Sequence, residues 1–247
     1  MIAGLTWGAI ALGLSATLIA GFVRGLAGFG LAILLVPVLG LAIPPAEAVV
    51  VGNWLGFLIS FMHVRKQVRH TERSAWIIAG TALVMIPLGV LALGAVGVPM
   101  ARLLIALIAL AAFIAVILPP KPHHVPGRAE TLATGIASGL LTGFAGMPGP
   151  PVVPFYLRRG LDPATARASM MSIFLVTQGA GVAIAVIMGA ANWRELGIAL
   201  ALYPLVVVGN WAGSRAFGRI DARAWRVIAG GVLGAAALGA LFKLLHA

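Results

Sequence analysis

Charge is scarce in this chain. Of 247 residues, 17 are Lys or Arg and 6 are Asp or Glu, so charged residues make up 9%, against roughly a quarter in soluble domains. A soluble domain of this length needs a charged coat, and too few charges exist to build one. An ordinary soluble enzyme, a nucleic-acid-binding protein and a disordered tail are therefore excluded. Cysteine is absent, which removes disulfides, thiolate nucleophiles and Cys-ligated metals. The few acidic residues lie outside the deep parts of the apolar runs, so a proton relay of intramembrane carboxylates has no material. The 32 glycines follow no three-residue period, which excludes collagen. The apolar runs do not alternate, which excludes a transmembrane β-barrel.

Apolar residues are abundant, at 61%. They fall in runs at 3–23, 26–43, 48–63, 75–96, 101–118, 131–146, 148–157, 168–190, 195–213 and 225–245. The length allows at most about twelve crossings of about 20 residues each. The pattern predicts an all-α polytopic membrane protein with 8–10 membrane segments, the count depending on whether hairpin arms are counted singly. The first run has no basic residue ahead of it and reads as a membrane segment, not a cleaved signal.

The net charge of +11 sits mostly between the runs. Arg65, Lys66, Arg69 and Arg73 lie in 64–74, Lys121 and Arg128 in 119–130, Arg158, Arg159 and Arg167 in 158–167, and Arg215, Arg219 and Arg223 in 214–224. The positive-inside rule makes these four segments cytoplasmic and in contact with anionic lipid. The 97–100 turn and the Ala190–Ala191 corner then face out. Segment 131–157 must leave and return on one side, yet its 27 residues fall short of the roughly 40 that two crossings need. It reads as two short half-helices or a tilted broken pair around Gly143 to Pro151, where proline removes amide donors and glycine permits non-helical backbone.

The chain also echoes itself. GFVRGLAGFGLAILLVPVL (21–39) and GLLTGFAGMPGPPVVPFYL (139–157) align at an offset of 118, matching Gly21, Gly25, Ala27, Gly28 and Leu39 to Gly139, Gly143, Ala145, Gly146 and Leu157. Ala46 and Ala48 continue the match in Ala164 and Ala166. This predicts two inverted-topology repeats with broken helices or re-entrant hairpins, over 1–118 and 131–247, joined by a cytoplasmic linker at 119–130. Hairpins entering from opposite sides would place a secondary transporter's site near the midplane.

Arg24 is the exceptional charge, set between two apolar runs. Guanidinium there is costly unless paired or wet, so it either recognises an anion or snorkels to the interface. Gly25, Gly28 and Gly30, with Gly143, Gly146 and Gly149, either expose backbone amides to an anion or let helices pack closely. Asn53, Thr142, Ser169, Ser172 and Gln178 are polar groups within apolar runs and complete the candidate site, although hydroxyls can also bond one turn back along their own helix. Glu47, after Pro44-Pro45, suits a helix N-terminus or a basic partner. His63, His70, His123, His124 and His246 lie near membrane edges, and adjacent His123-His124 cannot form a metal site alone.

The Gly25-Leu26-Ala27-Gly28-Phe29-Gly30 turn, its echo Gly143-Phe144-Ala145-Gly146-Met147-Pro148-Gly149, and the Pro44-Pro45-Ala46-Glu47-Ala48 step resemble the TauE/SafE family of sulfite-exporter-like permeases. The resemblance covers nearly the whole chain. It implies a multi-pass transporter of the bacterial inner membrane, acting on sulfite, sulfoacetate or another organosulfur anion, usually by export, with Gly25, Gly28, Gly30, Gly143, Gly146 and Gly149 in the two turns. Phe29, Met147 and Pro148 depart from a fully glycine turn. No enzyme activity, cofactor or metal is implied. A small anion and membrane lipids are the expected partners, a homodimer is compatible, and the coupling ion is open. An anion channel and a non-catalytic assembly subunit remain alternatives.

Overall fold

The computed structural model describes residues 7–62, 64–117 and 125–216. These residues form ten helices: α1 (Trp7–Ala27), α2 (Leu31–Ala42), α3 (Pro45–Phe61), α4 (Val64–Arg69), α5 (Arg73–Ala95), α6 (Val98–Ile117), α7 (Arg128–Ala145), α8 (Gly149–Leu157), α9 (Pro163–Ile187) and α10 (Trp193–Ala216). Four stretches, Arg73–Ala95, Val98–Ala115, Pro163–Ile187 and Trp193–Ala216, are long and apolar enough to cross a membrane. The apolar run expected at 225–245, with Arg219, Arg223, His63, His123, His124 and His246, lies outside the described residues.

Two helix pairs organise the bundle, and glycine makes both. A Cβ on Gly21 would come 3.1 Å from the Cα of Val206, and one on Gly25 would strike the carbonyl of Asn210; Gly209 and Gly213 return the contact against Leu18 and Phe22. The register, 21 beside 206 and 25 beside 210, means that α1 and α10 run parallel. In the second pair, a Cβ on Gly139 would lie 2.8 Å from the Cα of Ala82, and one on Gly143 2.7 Å from the N of Val90. So α5 and α7 are parallel too. Removing side chains lets two helical backbones approach closely, which replaces the hydrophobic drive that lipid surroundings lack.

Helix directions follow. Ser169 and Ser172 at the start of α9 bond Glu72 and Thr71 at the start of α5, so both helices begin on one side, which also holds the basic 64–74 and 158–167 segments. Gly179 and Gly181 of α9 pack on Phe57 and Asn53 of α3 in antiparallel register. Helix α1 therefore descends to the basic side, turns at 28–30, and returns as α2. Helix α7 rises from the basic side, turns at 146–148, and returns as α8. The two hairpins point at each other.

The arms are unequal. Helix α7 has 18 residues and α8 has 9, about 27 and 14 Å at 1.5 Å per residue. The expected pair of short half-helices is thus one nearly full span and one half-helix, and α7 begins inside the stretch read as linker. Helix α2 has 12 residues, of which Leu31 to Gly40 are all buried; a helix apolar all round belongs in the core. Each turn inserts its side chain into the other hairpin's surroundings. Phe29 packs with Val152, Phe155, Ile173 and Phe174, while Met147 joins the cluster of α1, α2 and α3. Arg102 of α6 donates Nε to the Gly40 carbonyl at 2.6 Å, a cation on the negative end of α2.

Helix boundaries repeat across the chain. Ala27 and Ala145 end α1 and α7, Leu31 and Gly149 begin α2 and α8, and Pro45 and Pro163 begin α3 and α9, each pair 118 residues apart. Gly28 and Gly146, also 118 apart, both take left-handed backbone, at φ 84° and 67°.

Candidate functional site

The turns meet around a cavity of about 20 Å³, lined by Arg24, by Gly30 to Ile33, by Met147 to Gly149, and by Phe174 and Gln178. Such a volume holds about one water.

The donors converge unequally. Helix α2 makes its first bond from the Leu34 amide to the Gly30 carbonyl at 3.2 Å, so the N–H groups of Leu31, Ala32 and Ile33 have no acceptor within the helix. These three residues line the cavity, which therefore lies at the positive end of the helix dipole. Gly30 permits this because it sits at φ 99°, a conformation that costs other residues about 1–2 kcal/mol. Helix α8 starts Gly149-Pro150-Pro151, and proline has no N–H. Only Gly149 can donate there. The first turn is thus the richer in donors, and the second, with Met147, Pro148 and Phe174 around it, is mostly apolar.

Arg24 is 2% exposed. It does not snorkel. Its Nη2 donates to Ser60 Oγ at 2.7 Å, and Ser60 passes its own proton to the Gly56 carbonyl at 2.7 Å. Nε has no partner. No described carboxylate pairs with this guanidinium. Glu72 instead pairs with Arg159 at 2.6 Å and Glu47 with Arg194 at 2.8 Å. An uncompensated buried cation is a large desolvation cost, and a bound anion would relieve it.

The other sequence-derived candidates scatter. Gln178, with Oε1 unpartnered, lines the cavity beside Arg24. Gly28 and Gly146 shape the turns. Gly25 and Gly143 lie inside α1 and α7 and serve helix packing, so they are not turn residues. Thr142 returns its proton to the Ser138 carbonyl at 2.6 Å, and its carbonyl accepts from Asn53 Nδ2 at 3.4 Å. Asn53 stands between α7 and α9, away from the cavity lining. Ser169 and Ser172 tie α9 to the Thr71-Glu72 corner, at 2.9 and 2.7 Å, and do not reach the cavity. Sequence reasoning saw Ser60 as one polar group of an apolar run and chose neither it nor Arg167 for the candidate site. Ser60 stands 118 residues before Gln178, which the repeat could have paired. Arg167 looked like one more loop cation.

A second, larger cavity of about 630 Å³ opens on the basic side, lined among the described residues by Gln67, His70, Asp162, Arg167, Asn210 and Ser214, with others.

The family model for sulfite exporter TauE/SafE matches residues 13–240. A probable sulfite/organosulfonate exporter TauE of Cupriavidus necator is 27% identical over 215 residues, covering 83% of each chain. No solved structure matches. The chain belongs to the sulfite exporter TauE/SafE family and is a multi-pass membrane transporter, not an enzyme.

Proposed function

We propose that this chain is a secondary transporter exporting a small sulfur anion, sulfite or an organosulfonate, across the bacterial inner membrane. The observation that carries the reading is Arg24, buried with no carboxylate partner among the described residues, beside the N-terminus of α2 with its three unbonded amides. A monovalent or divalent oxyanion supplies the missing charge and the missing acceptors together. The relative's printed name, a probable sulfite/organosulfonate exporter, supports the substrate class.

The two units, 1–118 and 131–247, act in this reading as inverted repeats about the cavity. The common 118-residue spacing of helix ends and the opposed hairpins support that arrangement. Rocking of one hairpin against the other would expose Arg24 to each side in turn. A cavity of about 20 Å³, too narrow for the anion without movement, favours a carrier over an open channel. Export of an anion gains about 2.3 kcal/mol per charge per 100 mV from a negative-inside potential, so no coupling carboxylate is required.

The test is flux in proteoliposomes of sulfite, sulfoacetate, sulfate and a carboxylate, with and without a membrane potential. Saturable, potential-driven flux of a sulfur anion with counterflow is expected. Flux of none of the sulfur anions would overturn the substrate assignment, and flux without saturation or counterflow would make the protein a channel.

A further inference from the structure

We infer that the chain carries a second anion site on its basic side, centred on Arg167, which captures the anion and hands it to the Arg24 cavity; this rests on the transport reading above. Arg167 stands in the first turns of α9 and is half-buried. Its Nη2 donates to the Gly25 carbonyl at 2.9 Å. Its Cγ lies 2.8 Å from where a Cβ of Gly28 would stand. The side chain is therefore laid over the bend that ends α1 and leads to the N-terminus of α2. It also lines the 630 Å³ cavity. One residue thus touches both the wide space and the turn that closes the narrow one.

The wide cavity has the chemistry for an anion. His70, Asn210 and Ser214 line it with Arg167. Among the described lining residues Asp162 is the opposing charge, and its Oδ2 is already engaged by the Ala164 and Thr165 amides at 3.1 and 3.2 Å. Gln67 is 5% exposed, its Oε1 has no partner, and its NH2 reaches only Met171 Sδ at 3.8 Å. Rotating that amide offers N–H donors to the cavity for the loss of a weak sulfur contact. The volume is within the range of small-molecule sites, whereas the Arg24 cavity admits about one water. A small sulfur oxyanion, with or without an organic tail, therefore has room at Arg167 before it has room at Arg24. An anion that takes over the Arg167 guanidinium draws it from the Gly25 carbonyl. The bend at Gly28 loses its tether, and the first hairpin is free to part from the second.

The native chain has no cysteine, so Ser214→Cys creates a sole thiol on the wide cavity. In the full-length detergent-solubilised protein, a sulfonate-bearing thiol reagent should react with it faster than a neutral reagent of equal length, by about tenfold. Arg167→Gln should abolish that preference. Arg167→Lys should retain it, because it keeps the charge, and Arg24→Gln should retain it, because the capture site is separate. In flux assays, Arg167→Gln should raise the half-saturating concentration on the basic side about tenfold, whereas Arg24→Gln should abolish flux at every concentration. His70→Gln gives a smaller loss of preference and serves if Arg167→Gln does not fold. An anionic preference unchanged by Arg167→Gln, or by His70→Gln where Arg167→Gln does not fold, overturns the site. A wild type that shows the preference but moves no sulfur anion overturns the transport reading instead.

Discussion

Replacing Arg24 with Gln separates a binding cation from a structural one, because the two roles predict opposite signs. The substitution removes one charge-assisted bond, to Ser60 at 2.7 Å, worth about 1.5–3 kcal/mol. It also removes a buried charge that no described carboxylate compensates, and the penalty for such a charge is several kcal/mol. The anion-free variant should therefore be as stable as the wild type, or more stable by a few kcal/mol. Anion binding should move the other way. Loss of two charge-assisted bonds from the guanidinium costs about 3–6 kcal/mol, or roughly 10²- to 10⁴-fold in affinity at 1.4 kcal/mol per decade. The assay is thermal unfolding in detergent, with and without sulfite or sulfoacetate, alongside flux per folded molecule. Ligand at a hundred times Kd stabilises the wild type by about 2.7 kcal/mol, and the variant should show a clearly smaller rise. A variant that melts lower than the wild type yet transports normally would refute the reasoning.

Three further outcomes follow from the same geometry. Gly25→Ala and Gly143→Ala should each destabilise by about 1–3 kcal/mol or more, since their Cβ atoms meet the backbone of Asn210 and Ile86; Gly80→Ala, with open space around it, should instead gain about 0.5–1 kcal/mol, all read as melting temperature. Pro150→Ala with Pro151→Ala restores two amides at the start of α8 and should tighten anion binding by about 1 kcal/mol or more; a calorimetric affinity equal to the wild type would mean that this turn does not face the anion. Single cysteines at Val68, Val125 and Pro163 should label from the cytoplasm and one at Ala190 from outside, and any other partition in intact cells would break the topology.

Much of the architecture was legible because membrane-spanning helices announce themselves by length. The run at 75–96 became α5 at Arg73–Ala95, and the run at 148–157 became α8 at Gly149–Leu157. The shortage of residues in 131–157 pointed to a broken return. It did not reveal which arm was short, because that depends on the partner: the glycines of α7 let it lie along α5 for its full length. The same blindness affected the individual glycines. Gly25 and Gly28 stand three apart and look alike in sequence, yet one meets the Asn210 backbone and the other bends the chain at φ 84°. Arg167 was illegible for a similar reason, since its acceptor lies 142 residues away.

The two turns share a bend but not a chemistry, and that difference bears on how a carrier of this design works. Gly28 and Gly146 occupy corresponding places with the same left-handed backbone. After the first bend, Gly30 opens a helix whose leading amides are unbonded, and Arg24 lies beside it. After the second, Pro148, Pro150 and Pro151 remove most donors, and Met147 packs into the first hairpin's core. Two strong donor turns would hold an oxyanion from both sides, and moving either hairpin would then break charge-assisted bonds at about 1.5–3 kcal/mol each. One donor turn and one apolar turn avoid that barrier. The proposed anion stays with Arg24 and α2, while the α8 hairpin slides off a surface that makes few hydrogen bonds. In the proposed carrier the proline turn would serve as the lid, and its poverty in donors is what would let the lid open.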